Sequence, residues 1–215
     1  MIKLIIFDMD GLMIDSEPFH RKAFNKVFQE YGKELTEEDN SKYYIGISDI
    51  DAVEDMIKRF SLPLSPEELV ERKQTAYKKL VASHIIPQNG LLNLLKNLQK
   101  NGYKKVIASC SMFNEIELII NNLKINKYIN GYFSAEQVEN GKPAPDLFLF
   151  AAEKMRTLPK DCLVLEDAPS GINAAKVAGM KSFAIPSKET KGKDFSKATK
   201  VLDNLNEVYD NLKNL

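Results

Sequence analysis

Asp8 and Asp10 stand one residue apart at the end of the apolar run in "LIIFDMDG", and Gly11 follows at once. Strand interiors disfavour aspartate, because a buried carboxylate without a partner costs several kcal/mol or takes up a proton. Alternation along an extended chain would set both carboxylates on one side, roughly 6.6 Å apart, with Met9 turned into the packing. Two acids so placed repel each other. A hard cation with oxygen ligands relieves that repulsion, and Mg²⁺ suits it: it accepts one or two carboxylates, keeps waters and takes up a phosphate oxygen.

The elements that must carry such a site are legible as short apolar runs. "KLIIFD", "KKVIAS", "GYFSA", "CLVLED" and "KSFAIP" read as buried strands. Helical patterns separate them: "GLLNLLKNLQKNG" with Gly102 as its stop, the stripe Ile116, Ile119, Ile120 and Leu123, "PDLFLFAAEKM" after Pro145, and "SGINAAKVAGM" between Ser170 and Gly179. Strand followed by helix throughout predicts an α/β fold with a parallel sheet, whose ligands bind at the carboxyl ends of the strands. That end would gather Asp8 and Asp10 from the first strand, Ser109 from the second, Glu166 and Asp167 after "CLVL", and Lys142 from "GKPAPD". A third acid, Asp167, strengthens the case for a cation. A serine hydroxyl, a lysine and the backbone N–H groups around Cys110 and Ser111, at the start of the following helix, would hold an anion. This is an arrangement for phosphoryl chemistry, where positioning and charge stabilisation dominate.

Between the first and second strands, from about Ser16 to Ser83, helical stripes take over: Phe24, Val27, Phe28 and Tyr31; Ile50, Val53, Ile57 and Phe60; Leu69, Tyr77 and Leu80. Ser65, Pro66 and Glu68 make a capping-box start for the last. The section is longer than a crossover needs and predicts an insertion with its own small core. The expected division is a discontinuous core over 1–15 and 84–215, with a helical domain over 16–83.

The 215 residues carry 30 basic and 30 acidic side chains and 44% hydrophobic residues, a soluble globular composition. The balanced charge gives no support to nucleic acid or an anionic membrane as partner. No apolar stretch approaches the roughly 20 residues of a membrane span, and acids interrupt the N-terminal run where a secretory peptide would stay apolar. A cytoplasmic protein is expected. Cys110 and Cys162 would lie at opposite ends of parallel strands, beyond the about 7 Å a disulfide spans, and are expected as free thiols. "SKETKGKDFSKATK" reads as a solvated segment and His84 as structural.

Taken together, "FDMDG", the strand ending in Ser109, "GKPAPD" and "LEDAPSGINAAKVAGM" resemble the four ordered motifs of the haloacid dehalogenase superfamily, and most closely its β-phosphoglucomutase and 2-deoxyglucose-6-phosphatase-like subgroup. One D-x-D alone is a weak signal; four motifs in order are specific. The resemblance implies a Rossmann-like core with a small α-helical cap, hinged near 12–16 and 83–87. It implies that Asp8 is the nucleophile forming an aspartyl-phosphate and that Asp10 is the acid and then the base. Ser109, Cys110 and Lys142 would bind the substrate phosphate. Mg²⁺ would be held by Asp8, the backbone carbonyl of Asp10, Asp167 and, directly or through water, Glu166.

In the cap, His20, Gly46, Asp49 and Lys73 are candidate substrate contacts. Gly46 keeps the glycine of the subgroup's specificity loop, whereas Asp49 stands where the mutases carry a phosphate-binding arginine and would repel a second phosphate. Lys73 matches a lysine the mutases use. The expectation is a Mg²⁺-dependent phosphatase of a small phosphorylated metabolite, a sugar phosphate, acting as a monomer because the cap would cover its site. A β-phosphoglucomutase-type isomerase is the alternative, and a non-catalytic phosphate binder is a third.

Overall fold

The structure, a computed structural model, describes residues 1–44 and 49–215, and for Glu17, residues 49–51 and residues 82–84 it describes the backbone alone. The chain divides into two compact units, Met1–Asp15 with Ile86–Leu215, and Ser16–Ile85.

In the first unit, five apolar runs form the strands β1 (Leu4–Phe7), β2 (Lys104–Ser109), β3 (Gly131–Ser134), β4 (Cys162–Glu166) and β5 (Lys181–Ala184). A two-residue β6 (Lys200–Val201) completes a parallel sheet of order β3-β2-β1-β4-β5-β6. β6 takes only Lys200 from the end of the Lys-rich tract, and both of its residues are exposed; within that tract Ser187, Thr190 and Phe195 are buried, so it is solvated only in part. β1 is central, with Leu4 to Phe7 paired to Lys104–Ile107 on one side and Cys162–Leu165 on the other. All four of its residues are fully buried, which is why the run reads as continuously apolar rather than alternating.

Leu4, Ile6, Val106, Ala108 and Val164 pack against Leu147, Phe148, Ala151 and Ala152 of a helix Asp146–Lys154 and Ala174 and Ala175 of a helix Pro169–Val177. In chain order the helices are α1 (Glu17–Phe28), α2 (Glu37–Tyr43), α3 (Asp49–Phe60), α4 (Pro66–His84), α5 (Leu91–Lys100), α6 (Phe113–Asn122), α7 (Asp146–Lys154), α8 (Pro169–Val177) and α9 (Val208–Leu212). The two cysteines are free thiols, and burial pushes both above their usual range, Cys162 to about 12.

The unit Ser16–Ile85 holds α1 to α4 around Phe24, Val27, Phe28, Leu35, Tyr44, Val53, Met56, Leu62 and Leu69. Ser65 caps α4 by accepting from the Glu68 N–H at 3.2 Å. Helix α2 has no apolar stripe; "EEDNSKY" is fixed by its Thr36 cap, which accepts from the Asp39 N–H, and by three acids in its first turn.

Candidate active site

β1 ends at Phe7, so the two aspartates are not part of the strand. Asp8 still donates its N–H to the Leu165 carbonyl at 3.0 Å, but the chain then turns: Gly11 donates to Ile14, and Met13 and Ile14 donate to Met9. The pair thus sits in the loop beyond the carboxyl end of the central strand, where β2 and β4 bring Ser109 and Glu166 alongside. Gly11 has φ +79°, and a Cβ there would lie 2.1 Å from Asp167 Oδ2. Only a glycine meets both the left-handed backbone and the close approach of that carboxylate.

Lys142, from the loop ahead of α7, is 8% exposed, and its ammonium has three partners: Asp8 Oδ1 at 2.5 Å, Glu166 Oε1 at 2.8 Å and the Ala108 carbonyl at 3.0 Å. Phe148, the third residue of α7, lies with its ring centroid 4.9 Å from Nζ. Glu166 uses its second oxygen to accept from the Ala168 N–H at 2.9 Å. Asp8, Glu166 and Asp167, all buried, offer carboxylate oxygens within 4.8 Å of one another. The fit to a hard divalent cation rests on this donor set: oxygen only, carboxylate-rich and shielded from water.

The electrostatics agree with that fit. Burial pushes the Asp8 carboxyl up to about 8; Lys142 works against the rise, while Glu166 and Asp10 add to it. Burial disfavours the charged form of Lys142, but Asp8 and Glu166 outweigh it and hold the ammonium above the ordinary lysine range. An additional positive charge at the acids would restore Asp8 to its carboxylate form.

The Asp10 side chain faces other partners. Its Oδ2 accepts from the Ser109 hydroxyl at 3.2 Å and from the Ser111 hydroxyl at 2.5 Å. The Ser111 N–H donates to Ser109 Oγ at 3.0 Å, and the helix that follows begins only at Phe113. The Ser111 N–H, expected to be open at the helix start, is instead used within the loop, and the helix begins two residues after Ser111. The Ser111 side chain carries no motif signal in the sequence beyond its place two residues after Ser109. Gly171 likewise has no signal of its own within "SGINAAKVAGM", yet a Cβ there would meet Glu166 Oε1 at 1.8 Å.

The structure therefore brings together Asp8, Lys142, Glu166 and Asp167, with Asp10 and Ser109 joined by a hydrogen bond. His20, on α1, stacks on Tyr77 of α4 at 4.3 Å between centroids. Lys73 is fully buried in the Ser16–Ile85 unit, its ammonium 4.7 Å from the Tyr77 ring and 5.6 Å from that of Phe24. Gly46 lies outside the described residues, as do the side chains of Asp49 and His84. Among the described residues no helix is long and apolar enough to cross a membrane.

The chain is 30% identical over 181 residues to the phosphorylated carbohydrates phosphatase of Thermotoga maritima, covering 84% of this chain and 83% of that protein. It is 33% identical over 207 residues to the probable pseudouridine-5'-phosphatase of Drosophila melanogaster, covering 93% and 88%. The crystal structure of β-phosphoglucomutase from Clostridium difficile superposes with a TM-score of 0.84 at 27% identity, over 100% of this chain and 96% of that one. A family model described as haloacid dehalogenase-like hydrolase matches residues 5–185, a span that takes in every residue of the acid and lysine cluster. With its parallel sheet and the acids at the carboxyl ends of β1 and β4, this chain belongs to the haloacid dehalogenase-like hydrolase family.

Proposed function

We propose that the protein is a Mg²⁺-dependent phosphomonoesterase acting on a small phosphorylated metabolite, a sugar phosphate, through an aspartyl-phosphate at Asp8. The observation that carries this reading is the buried cluster in which Lys142 bridges Asp8 and Glu166 beside Asp167. Asp8, Asp167 and the backbone carbonyl of Asp10 would hold the metal, with Glu166 next to it. When bound, Mg²⁺ would supply charge neutralisation of the phosphoryl oxygens.

Asp8 would attack phosphorus, with its carboxylate kept in line by Lys142. Ser109 and Lys142 would bind the phosphoryl oxygens, with the backbone at Cys110 adding to them. Asp10 would give a proton to the leaving oxygen and later take one from the water that cleaves the aspartyl-phosphate. The Ser16–Ile85 unit would act as the cap that selects the substrate, with His20, Gly46, Asp49 and Lys73 as its contacts. The relatives named for carbohydrate and pseudouridine phosphates support a phosphate ester on a sugar carbon. The likeness to a β-phosphoglucomutase keeps an isomerase as the second reading.

A phosphate-release screen over sugar, nucleotide and short-chain phosphates in Mg²⁺, run beside isomerisation of β-glucose 1-phosphate with a bisphosphate primer, tests the proposal. Phosphate release that Asp8→Asn abolishes is expected. Fast isomerisation with little release would favour the mutase, and Asp8→Asn with unchanged turnover would remove the nucleophile assignment.

A further inference from the structure

Asp10 Oδ2 receives two hydroxyl donations, from Ser109 at 3.2 Å and Ser111 at 2.5 Å. A serine hydroxyl has one proton to give. If Ser109 binds a phosphoryl oxygen, as the proposed function has it, that proton goes to the substrate and leaves Asp10. Ser111 is then the remaining hydroxyl of this pair on Oδ2.

The surroundings of Ser111 fix it for that task. Its N–H is bonded to Ser109 Oγ at 3.0 Å, and its carbonyl accepts from the Ser134 hydroxyl on β3 at 2.7 Å. Ser134 is itself buried and accepts from the Glu136 N–H at 3.2 Å. Both sides of the Ser111 backbone are therefore tied to sheet elements, and the side chain leaves from a fixed base toward Asp10.

We propose that Ser111 is a positioning residue for Asp10: its hydroxyl holds Oδ2 while substrate occupies Ser109, leaving Oδ1 to carry the proton. The proposal rests on the phosphatase reading and adds to it. In the first step the Asp8 carboxylate forms a bond to phosphorus, the bond from phosphorus to the ester oxygen breaks, and the proton on Asp10 Oδ1 passes to that oxygen. In the second, water loses a proton to Asp10 Oδ1, its oxygen bonds to phosphorus, and the bond to Asp8 breaks. Both steps need the same oxygen of Asp10 in place, and small misplacements are costly in such geometry.

The test compares wild type with Ser111→Ala and Ser111→Thr in Mg²⁺ on two probes. Ribose 5-phosphate releases an alkoxide that needs a proton; p-nitrophenyl phosphate releases a phenolate that does not. Ser111→Ala is expected to lower kcat on ribose 5-phosphate roughly ten- to hundredfold, within the range of proton-transfer catalysis, with KM changed less than about threefold. On p-nitrophenyl phosphate it should keep a rapid first burst of phenolate and then turn over slowly, because only the second step calls on Asp10. Ser111→Thr should restore most of both. Equal loss of burst and turnover, or Ser111→Ala with full activity on an active wild-type background, overturns the proposal alone. A wild type inactive on every ester of the screen overturns the phosphatase reading and this proposal with it. Should Ser111→Ala fail to fold, Ser111→Cys, close in size and a weak donor, carries the same burst and turnover measurement.

Discussion

Replacing Gly171 by alanine should be destabilising for one identifiable reason. Gly171 lies in the first turns of α8, where an added Cβ would stand 1.8 Å from Glu166 Oε1 and 2.0 Å from its Cδ. Ordinary contact begins near 3.4 Å, so the carboxylate must retreat by about 1.6 Å. It cannot do so and keep bonds of 2.8 Å to Lys142 and 2.9 Å to the Ala168 N–H. Breaking a buried pair so that a charge is left uncompensated costs roughly 3–5 kcal/mol. Alanine gives back up to about 1 kcal/mol over glycine in a helix. The net loss should be about 2–4 kcal/mol, which at roughly 2–4 °C per kcal/mol for a chain of this size lowers Tm by about 5–15 °C. Thermal unfolding followed by circular dichroism, with EDTA present, measures it.

The decisive control is the same substitution in a Glu166→Ala background, where the clash is gone. There Gly171→Ala should be neutral or raise Tm by a few degrees, through helix propensity alone. An equal loss in both backgrounds would refute the steric argument and place the cost of the substitution elsewhere in α8.

Two further outcomes rest on buried polar groups, one in each unit. Asp8 titrates near 8 in the folded chain against an ordinary value of 3.8, so the folded state prefers its protonated form. Its contribution to stability is present below pH 4 and is lost as pH rises toward 8. In EDTA, wild type should therefore lose stability relative to Asp8→Asn between pH 5 and 8, and Mg²⁺ should reverse the loss; parallel pH profiles for the two would count against it. In the other unit, buried Asn25 donates to the Leu35 carbonyl at 2.9 Å and accepts from the Leu35 N–H at 2.7 Å. Asn25→Leu strands both backbone groups and should cost about 2–4 kcal/mol in urea unfolding; a loss under about 1 kcal/mol would show that water replaces the side chain.

The elements that carry the site were legible because their pattern is simple. Buried parallel strands are apolar on both faces, so β1 to β5 stand out as runs, and the polar residues at their carboxyl ends mark the site directly. What escaped has no period to detect. The loop after Phe7 is fixed by four backbone bonds and a left-handed Gly11, so strand alternation placed Asp8 and Asp10 on one side, whereas Asp10 turns to two serines. β6 is two residues long, and α2 buries only Asn40. Lys73 illustrates a further limit: sequence supplies its charge but not its surroundings, two aromatic rings in a buried position. Gly171 stood inside a quoted motif, yet only coordinates reveal whose atoms fill the space it leaves.

The charges at the carboxyl ends of β1 and β4 argue for the metal independently of any motif. Asp8, Glu166 and Asp167 bring three acids into one buried cluster, and Lys142 is the cation bonded to two of them. With all four groups ionised the cluster is left two negative charges in excess, a state that burial strongly opposes. The chain relieves part of this by pushing Asp8 toward its neutral form. A neutral Asp8 is a poor nucleophile, so a site relieved in that way alone would be inert at neutral pH. A divalent cation would cancel the excess and return Asp8 to its carboxylate, and under the proposed function this would couple nucleophile activation to metal binding through charge alone. Lys142 cannot substitute for it, because its single charge is already divided between Asp8 and Glu166.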